Sequence, residues 1–124
     1  MKRAILLLLL LAVQASGQRL RLDMDVFVQR RADFVRQLPS QSVAVFACKP
    51  EYIRNGDVEY EYRQESNFYY LSGFEEPESI LLLNPSGRHK YVMFVRKRNP
   101  AAETWQGYRA GIEGALSTFR ADTA

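Results

Sequence analysis

Residues that could do chemistry are concentrated in one stretch of the chain, RNGDVEYEYRQESNFYYLSGFEEP, from Arg54 to Pro77. Four polar side chains in it could contact a substrate or a partner subunit: Asp57, Tyr60, Arg63 and Gln64. The same residue types also have structural roles. Asp is common in turns, Tyr packs its ring in the core with its hydroxyl in solvent, and polar side chains such as Arg hydrogen-bond to the backbone. Residue chemistry alone therefore leaves a binding role and a structural role open for all four.

Side chains suited to metal binding or nucleophilic attack are few. His89 is the only histidine and follows the turn sequence Pro85-Ser86-Gly87, so we expect it to be exposed. Cys48 is the only cysteine and ends the apolar run SVAVFAC, which predicts a buried, inert thiol and no intrachain disulfide. Hydrolysis with two metal ions needs several well-placed carboxylate and imidazole ligands, and the carboxylates here are scattered. We predict no catalytic residue and no metal ligand in this chain.

The elements that would position the polar residues can be read from local patterns. Asn55-Gly56 predicts a turn, because both residues accept positive φ. The alternation over residues 58–62 predicts a half-buried strand with Val58, Tyr60 and Tyr62 on one side. The aromatic run over residues 68–71 predicts another strand, ended by a turn at Ser72-Gly73.

A helix is predicted before this stretch. Residues 26–38 carry apolar side chains at helical spacing, Asp23 or Asp25 is placed to cap the first turn, and Pro39 ends the segment. Arg30, Arg31 and Arg36 lie largely off the apolar stripe. We interpret these arginines as a solvated helix face.

Three short apolar runs predict a sheet. Residues 42–48 form a nearly continuous run typical of a strand covered on both faces. Residues 79–84 and 90–95 flank a turn and predict an antiparallel hairpin. Residues 99–105 then begin as a loop with one helical turn, residues 107–111 form a glycine-flanked loop, and residues 113–119 are helical. The fold class is α/β, with a mixed β-sheet flanked by helices.

Length and charge limit the function. A chain of 124 residues forms one domain. Residues 1–17 have a basic start, an apolar run and small residues at Ala15 and Gly17, which predicts a cleavable signal peptide cut after either residue. An uncleaved anchor is the alternative, although the run is short for a bilayer span. Without Lys2 and Arg3 the 17 basic residues become 15 against 14 acidic ones, which argues against nucleic-acid binding.

Three ordered segments resemble the N-terminal domain of Xaa-Pro aminopeptidases (aminopeptidase P), in the group that includes prolidase and creatinase. They are residues 54–78, the strand pair ILLLNPSG and KYVMFVRKRNP, and Glu103-Thr104-Trp105-Gln106-Gly107-Tyr108-Arg109-Ala110-Gly111. The last is similar to the family pattern Glu-x-Trp-x-Gly-x-Arg-x-Gly. Residues 68–74 look more like aminopeptidase P than prolidase. The resemblance implies a creatinase-type, ribonuclease H-like fold for residues 18–124, truncated at its C-terminal end.

The resemblance also implies an activity. These enzymes release an N-terminal residue that precedes proline, using two metal ions, typically manganese, in a C-terminal "pita-bread" domain. None of that domain's metal-ligand motifs is found in this sequence, so we expect the catalytic domain to be absent and the 124-residue chain to be inactive by itself. The N-terminal domain helps to form a homo-oligomer and shapes the entrance to the active site. We expect export through the signal peptide, no stable membrane anchor and a proline-containing peptide as the substrate of the full-length enzyme.

Particular residues take roles from the resemblance. Asp57 resembles an acidic residue near the active-site mouth of a neighbouring subunit. Trp105 resembles an aromatic residue that lines the substrate pocket, and a core position beside Pro100 is the alternative for it. Tyr60, Arg63 and Gln64 resemble residues that support the loop carrying Asp57. Two alternatives stay open: a free-standing exported binding module without catalysis, and a fragment of a prolidase-type dipeptidase.

Overall fold

A computed structural model describes residues 22–124, so the predicted signal peptide lies outside the described residues. Within that range the elements, in chain order, are α1 (Met24–Gln37), β1 (Ala44–Ala47), β2 (Ile53–Asn55), β3 (Val58–Glu59), α2 (Ser66–Ser72), β4 (Ile80–Leu83), β5 (Tyr91–Phe94), α3 (Pro100–Gln106) and α4 (Gly111–Ser117). None of the helices in this range has the length and apolar character that a membrane crossing requires.

Helix α1 forms where the sequence predicted it. The Asp23 carboxylate accepts a hydrogen bond from the backbone N–H of Asp25, and so caps the first turn. The helix ends at Gln37, and Leu38 before Pro39 has extended backbone angles. A proline disfavours helical geometry in the residue before it, which explains this end of α1.

The main sheet has the strand order β1-β4-β5, and both pairs are antiparallel. Strands β4 and β5 form the predicted hairpin, with Ile80 opposite Phe94 and Leu83 opposite Tyr91. On the free edge of β5, Thr123 forms a parallel bridge with Val92. The strands of the main sheet are thus antiparallel, and this isolated bridge adds one parallel contact at its edge, within the predicted α/β class.

One face of the sheet carries the core. Leu81 and Met93 have no exposed surface and face Phe46 across the strands. Helices α1 and α2 and the segment around Phe119 lie over this face. The core cluster consists of Phe68, Leu71, Phe74, Leu81, Leu83, Tyr91, Met93, Ala110, Ala115 and Ala121. It forms the base from which residues 52–60 and residues 103–111 project.

The opposite face of the sheet is apolar and open. Val45, Ile80 and Phe94 belong to it, and they are 61%, 42% and 56% exposed. The prediction that residues 42–48 form a strand covered on both faces is therefore wrong in this structure. β1 is an edge strand of four residues whose burial alternates. The continuous apolar composition reflects a second apolar face that residues 22–124 leave uncovered.

The aromatic run at residues 68–71 lies in helix α2, so the predicted strand is wrong. The Glu65 carboxylate accepts from the backbone N–H of Phe68, at 2.8 Å, and caps the helix. That hydrogen bond lowers the pKa of Glu65. Gly73 ends the helix with a φ of 68°. Phe68 and Leu71, three residues apart, then share the buried side, so helical spacing and two caps override the β-preference of aromatic residues.

Two further predictions about residue placement are wrong. Residues 58–62 do not form a half-buried strand, because β3 contains only Val58 and Glu59, and Val58 and Tyr60 are more than half exposed. Arg31 is not on a solvated helix face, since it is only 5% exposed. Its guanidinium donates to the Leu71 carbonyl at 2.8 Å and lies 4.0 Å from the ring centroid of Tyr91. Burial lowers the pKa of Arg31.

Candidate functional site

Residues 52–60 form a projection that we call the hairpin arm. Strands β2 and β3 pair antiparallel, and Gly56 and Asp57 form the two-residue turn between Asn55 and Val58. Gly56 has a φ of 57°, which suits the first central position of such a turn. Every residue from Glu51 to Glu61 is exposed. The structure therefore places the Asp57 carboxylate at the exposed tip of an arm.

The stem of the arm is held by Gln64, which is 6% exposed. Its side-chain oxygen accepts from the Tyr62 hydroxyl at 3.0 Å and from the Glu65 backbone N–H at 2.9 Å. Its amide nitrogen donates to the Glu76 carbonyl at 3.0 Å. Burial raises the pKa of Tyr62, so its phenol keeps its proton over the physiological range. Gln64 thus joins the arm to the segment after α2.

The other two residues expected to support the arm have different surroundings. The backbone N–H of Tyr60 donates to the Tyr52 carbonyl at 2.9 Å, and its side chain is 60% exposed. Arg63 is exposed and lies 3.5 Å from the Ser66 hydroxyl. Their supporting roles remain predictions.

Residues 103–111 form a second projection, which we call the tryptophan segment. Trp105 lies in α3 and is 89% exposed. After α3 the backbone reverses at Gly107, which has a φ of 78°, and α4 begins at Gly111, which has a φ of 62°. These two positions explain the glycine spacing of the motif, because side-chain-bearing residues are strained at such angles.

Glu103 holds the tryptophan segment together internally. Its carboxylate accepts from the Arg98 guanidinium at 3.0 Å and is hydrogen-bonded to the backbone N–H of Arg109. The hydrogen bond from Arg98 lowers the pKa of Glu103. The Arg98 guanidinium also lies 5.5 Å from the ring centroid of Tyr108. The Glu103 carboxylate, together with Arg98 from outside the motif, therefore shapes the turn that follows Trp105.

A hydrogen bond from the segment after α2 ties the tryptophan segment to the described structure near the arm. Oε1 of Glu76 accepts from the backbone N–H of Ala110 at 2.7 Å. Ala110 is 6% exposed and begins α4. Since Gln64 donates to the backbone carbonyl of the same Glu76, both projections are anchored on one residue.

An open groove of about 770 Å³ lies between the stem of the arm and helices α1 and α2. It is lined by Leu22, Arg30, Glu61, Tyr62, Arg63, Gln64, Ser66, Tyr69, Tyr70 and Glu75. The Arg30 guanidinium stacks 4.2 Å from the ring centroid of Tyr70 and donates to the Tyr70 carbonyl at 3.3 Å. Three tyrosines and several charged side chains line the groove, but Asp57 and Trp105 do not.

The side chains that could donate to a metal ion are dispersed in the part of the chain that the structure describes. Between residues 22 and 124, no three His, Cys, Asp or Glu side chains are grouped so that they could hold a metal ion. Glu65 and Glu76 accept hydrogen bonds from backbone N–H groups instead. His89 is exposed in the β4–β5 loop, and Cys48 is partly buried, with its Sγ accepting from the Ser79 backbone N–H at 3.0 Å. The residues of this range do not fit a two-metal centre.

Sequence reasoning did not assign functional roles to Glu76 and Glu103. The Glu103 position was visible in the motif, where an acid precedes the tryptophan by two residues. The role of Glu76 had no local signal, because its partners Gln64 and Ala110 are 12 and 34 residues away.

Comparison with known proteins gives a consistent result. The family described as "Aminopeptidase P, N-terminal domain" matches residues 27–124. The Xaa-Pro aminopeptidase of Escherichia coli is 41% identical over 100 residues, covering 79% of this chain and 23% of the relative. Xaa-Pro aminopeptidase 3 of Homo sapiens is 41% identical over 95 residues, covering 71% of this chain and 18% of the relative.

Solved structures show the same fold. An aminopeptidase from Pseudomonas aeruginosa superposes with a TM-score of 0.82 at 43% identity, over 86% of this chain and 24% of that one. E. coli aminopeptidase P, solved with the inhibitor Pro-Leu, superposes with a TM-score of 0.78 at 38% identity, over 84% of this chain and 24% of that one. The chain thus spans about a fifth to a quarter of the length of these relatives.

Proposed function

The chain belongs to the aminopeptidase P family, and we propose that it is the pocket-shaping and oligomer-forming N-terminal part of a secreted Xaa-Pro aminopeptidase. The enzyme would remove an N-terminal residue that precedes proline. Its catalytic groups would lie in the portion of the relatives that this chain does not match. On this proposal, residues 22–124 supply contacts to the substrate and to a second subunit but no reacting group.

The observation that carries the proposal is the exposure of Trp105. A tryptophan side chain that is 89% exposed leaves a large apolar surface in water, which is unfavourable unless another molecule covers it. The contacts of Glu103 hold the helix that carries Trp105 in place, so the exposed ring is part of an ordered segment. Tryptophan is enriched among the residues that dominate binding interfaces.

Asp57 complements Trp105 chemically. An exposed carboxylate at the tip of an arm suits the ammonium group at the start of a peptide, and a flat aromatic ring suits the apolar ring of proline. Both groups project from this domain, so they would act most effectively on a pocket completed by another subunit. E. coli aminopeptidase P binds the dipeptide inhibitor Pro-Leu, which agrees with a pocket for proline-containing peptides in this family.

The metal ions belong outside the described residues on this proposal. Two metal ions, expected to be manganese, would supply an activated water and polarise the scissile carbonyl when bound. Residues 22–124 offer no ligand set for them. The contribution of this chain is to orient the peptide and restrict access to the site.

Export is part of the proposal. Residues 1–17 have the layout of a cleavable signal peptide. N-terminal sequencing of the mature protein should give Ser16 or Gln18 as the first residue. A product that retains Met1 would contradict export by cleavage.

The first experiment is to sequence the locus beyond codon 124 and express the longest product it encodes. With manganese, that product should release the first residue from an Xaa-Pro peptide, whereas the 124-residue chain should not. Trp105→Ala and Asp57→Asn should each raise KM, with Leu116→Ala and Glu78→Gln as matched controls on exposed surfaces. Light scattering should show an oligomer.

Other outcomes separate the alternatives. Cleavage of dipeptides only would indicate a prolidase-type enzyme. A reading frame that stops after Ala124, with a stable folded product that captures a partner, would indicate a binding module without catalysis. A longer frame without Asp, His and Glu ligand motifs would overturn the proposed peptidase.

A further inference from the structure

Two glutamates hold neighbouring backbone amides of the tryptophan segment. Glu103, on α3, is hydrogen-bonded to the N–H of Arg109, and Glu76 accepts from the N–H of Ala110 at 2.7 Å. Glu103 is a local partner, only a few residues away in the sequence. Glu76 comes from the segment after α2, 34 residues away. Glu103 also accepts from the Arg98 guanidinium and so ties the tryptophan segment to the chain just after β5, whereas Glu76 ties it to the segment after α2, beside the stem of the arm.

Glu76 has a second contact on its backbone. Its carbonyl accepts from the Gln64 side chain at 3.0 Å, and Gln64 in turn accepts from the Tyr62 hydroxyl at the stem of the hairpin arm. The side chain of Glu76 thus reaches the tryptophan segment while its backbone reaches the arm. The chain of hydrogen bonds runs from Tyr62 through Gln64 and Glu76 to Ala110.

We propose that Glu76 is a positioning residue that fixes the tryptophan segment relative to the stem of the hairpin arm, and so sets the separation of Trp105 and Asp57. This role of Glu76 deepens the proposed function. It rests on that function in one respect, namely that Trp105 and Asp57 contact the substrate. The structural part, that Glu76 couples the two projections, is tested without any assay of catalysis.

The carboxylate itself supports a positioning role. Oε2 of Glu76 is buried and has no hydrogen-bond partner among the described residues. A buried carboxylate oxygen without a partner disfavours the folded state, so stability alone does not account for a glutamate here. Its charged Oε1 nevertheless makes a short hydrogen bond to a backbone N–H, the kind of contact that fixes geometry tightly.

The chain offers a direct distance measurement. Trp105 is the only tryptophan, so it can serve as the unique energy donor. Cys48 is the only cysteine, so replacing it leaves an introduced cysteine as the unique labelling position. In the 124-residue chain with Cys48→Ala, Asp57→Cys is labelled with a dansyl maleimide, which accepts energy from Trp105. Time-resolved fluorescence then gives the distribution of distances between the two projections.

Glu76→Ala should broaden this distribution, because the tryptophan segment loses its link to the arm. Glu76→Gln should restore the parent distribution, because the amide oxygen can still accept from Ala110. Glu75→Ala is the matched control, since Glu75 is the adjacent, exposed carboxylate. A folded Glu76→Ala protein with the parent distribution would overturn the proposal.

A second variant keeps the test decisive if Glu76→Ala does not fold. Ala110→Pro removes the N–H that Glu76 binds, and the φ of −63° at this position already suits proline. It should broaden the distribution as Glu76→Ala does. An unchanged distribution in folded Ala110→Pro would contradict the coupling, whereas loss of peptidase activity in a longer product would not bear on it.

Discussion

The guanidinium of Arg31 lies 4.0 Å from the ring centroid of Tyr91, so a buried cation on α1 stacks on the first residue of β5. The same guanidinium donates to the Leu71 carbonyl at the end of α2. One side chain therefore joins α1, α2 and the sheet on the covered face.

Removing this contact should destabilise the fold. A desolvated cation–π contact and a hydrogen bond from a charged donor together indicate a loss of about 3 kcal/mol in the free energy of unfolding for Arg31→Ala. Arg36→Ala, on the same helix with 72% of its side chain exposed, should cost less than about 0.5 kcal/mol. Urea denaturation of both variants measures this, and equal values would contradict the structural role of Arg31.

The Tyr91 hydroxyl makes stability fall at high pH. Burial raises the pKa of Tyr91 to about 12, above the value of about 10 for a tyrosine in an unfolded chain. Between these values the folded state keeps a proton that the unfolded state releases. The stabilisation that Tyr91 contributes is therefore fully present below about pH 10 and is lost as pH rises toward 12. The free energy of unfolding should fall by roughly 2–3 kcal/mol over this range, at 1.4 kcal/mol per pKa unit.

Denaturation at pH 8, 10 and 11 measures this dependence on Tyr91. Tyr91→Phe should show a shallower decline over the same range than the parent protein. Parallel declines in the two proteins would show that other groups carry the effect.

Two glycines of the tryptophan segment form a matched pair. Gly107 and Gly111 both have positive φ, so alanine at either position should cost about 1–2 kcal/mol. A Cβ on Gly111 would lie 3.1 Å from the Arg98 backbone N, whereas one on Gly107 would meet nothing within 4 Å. Gly111→Ala should therefore cost at least about 1 kcal/mol more, by overpacking. Equal unfolding free energies for the two variants would argue against this close approach.

Neighbouring residues of β5 distinguish the two faces of the sheet. Met93 has no exposed surface and Phe94 is 56% exposed. In the 124-residue chain, Met93→Ala should cost about 2–5 kcal/mol, whereas Phe94→Ser should cost less than about 1 kcal/mol and reduce self-association. Urea denaturation and light scattering measure these effects. A large loss of stability from Phe94→Ser would mean that something covers the open face.

Local signals predicted much of the fold. The Asp23 cap and the β4–β5 hairpin follow from residues close in sequence. Arg31 was misplaced because its charge suggested solvent, although its spacing of four residues from Phe27 and three from Phe34 puts it on the buried stripe. The helix at Phe68 was misread because aromatic residues favour strands, while the capping contacts of Glu65 and Gly73 decided the outcome.

The candidate site was predictable only where a motif marked it. The sequence pointed to Asp57 and Trp105 through the turn and the glycine-spaced motif, and the structure places both on exposed projections. Their shared anchor, Glu76, depends on contacts between distant parts of the chain. Tertiary pairing of this kind leaves no periodic pattern in a single sequence.

The ties between α1, β5 and residues 120–123 determine when the domain can be completed during synthesis. Arg120 forms an ion pair with Asp25, 95 residues earlier, and the backbone N–H of Met93 donates to the Thr123 carbonyl. At about 5–20 residues per second, roughly 5–20 s pass between the translation of Asp25 and that of Arg120. Over that interval the nascent chain has neither contact, so these ties can form only after nearly all of the described residues have been made.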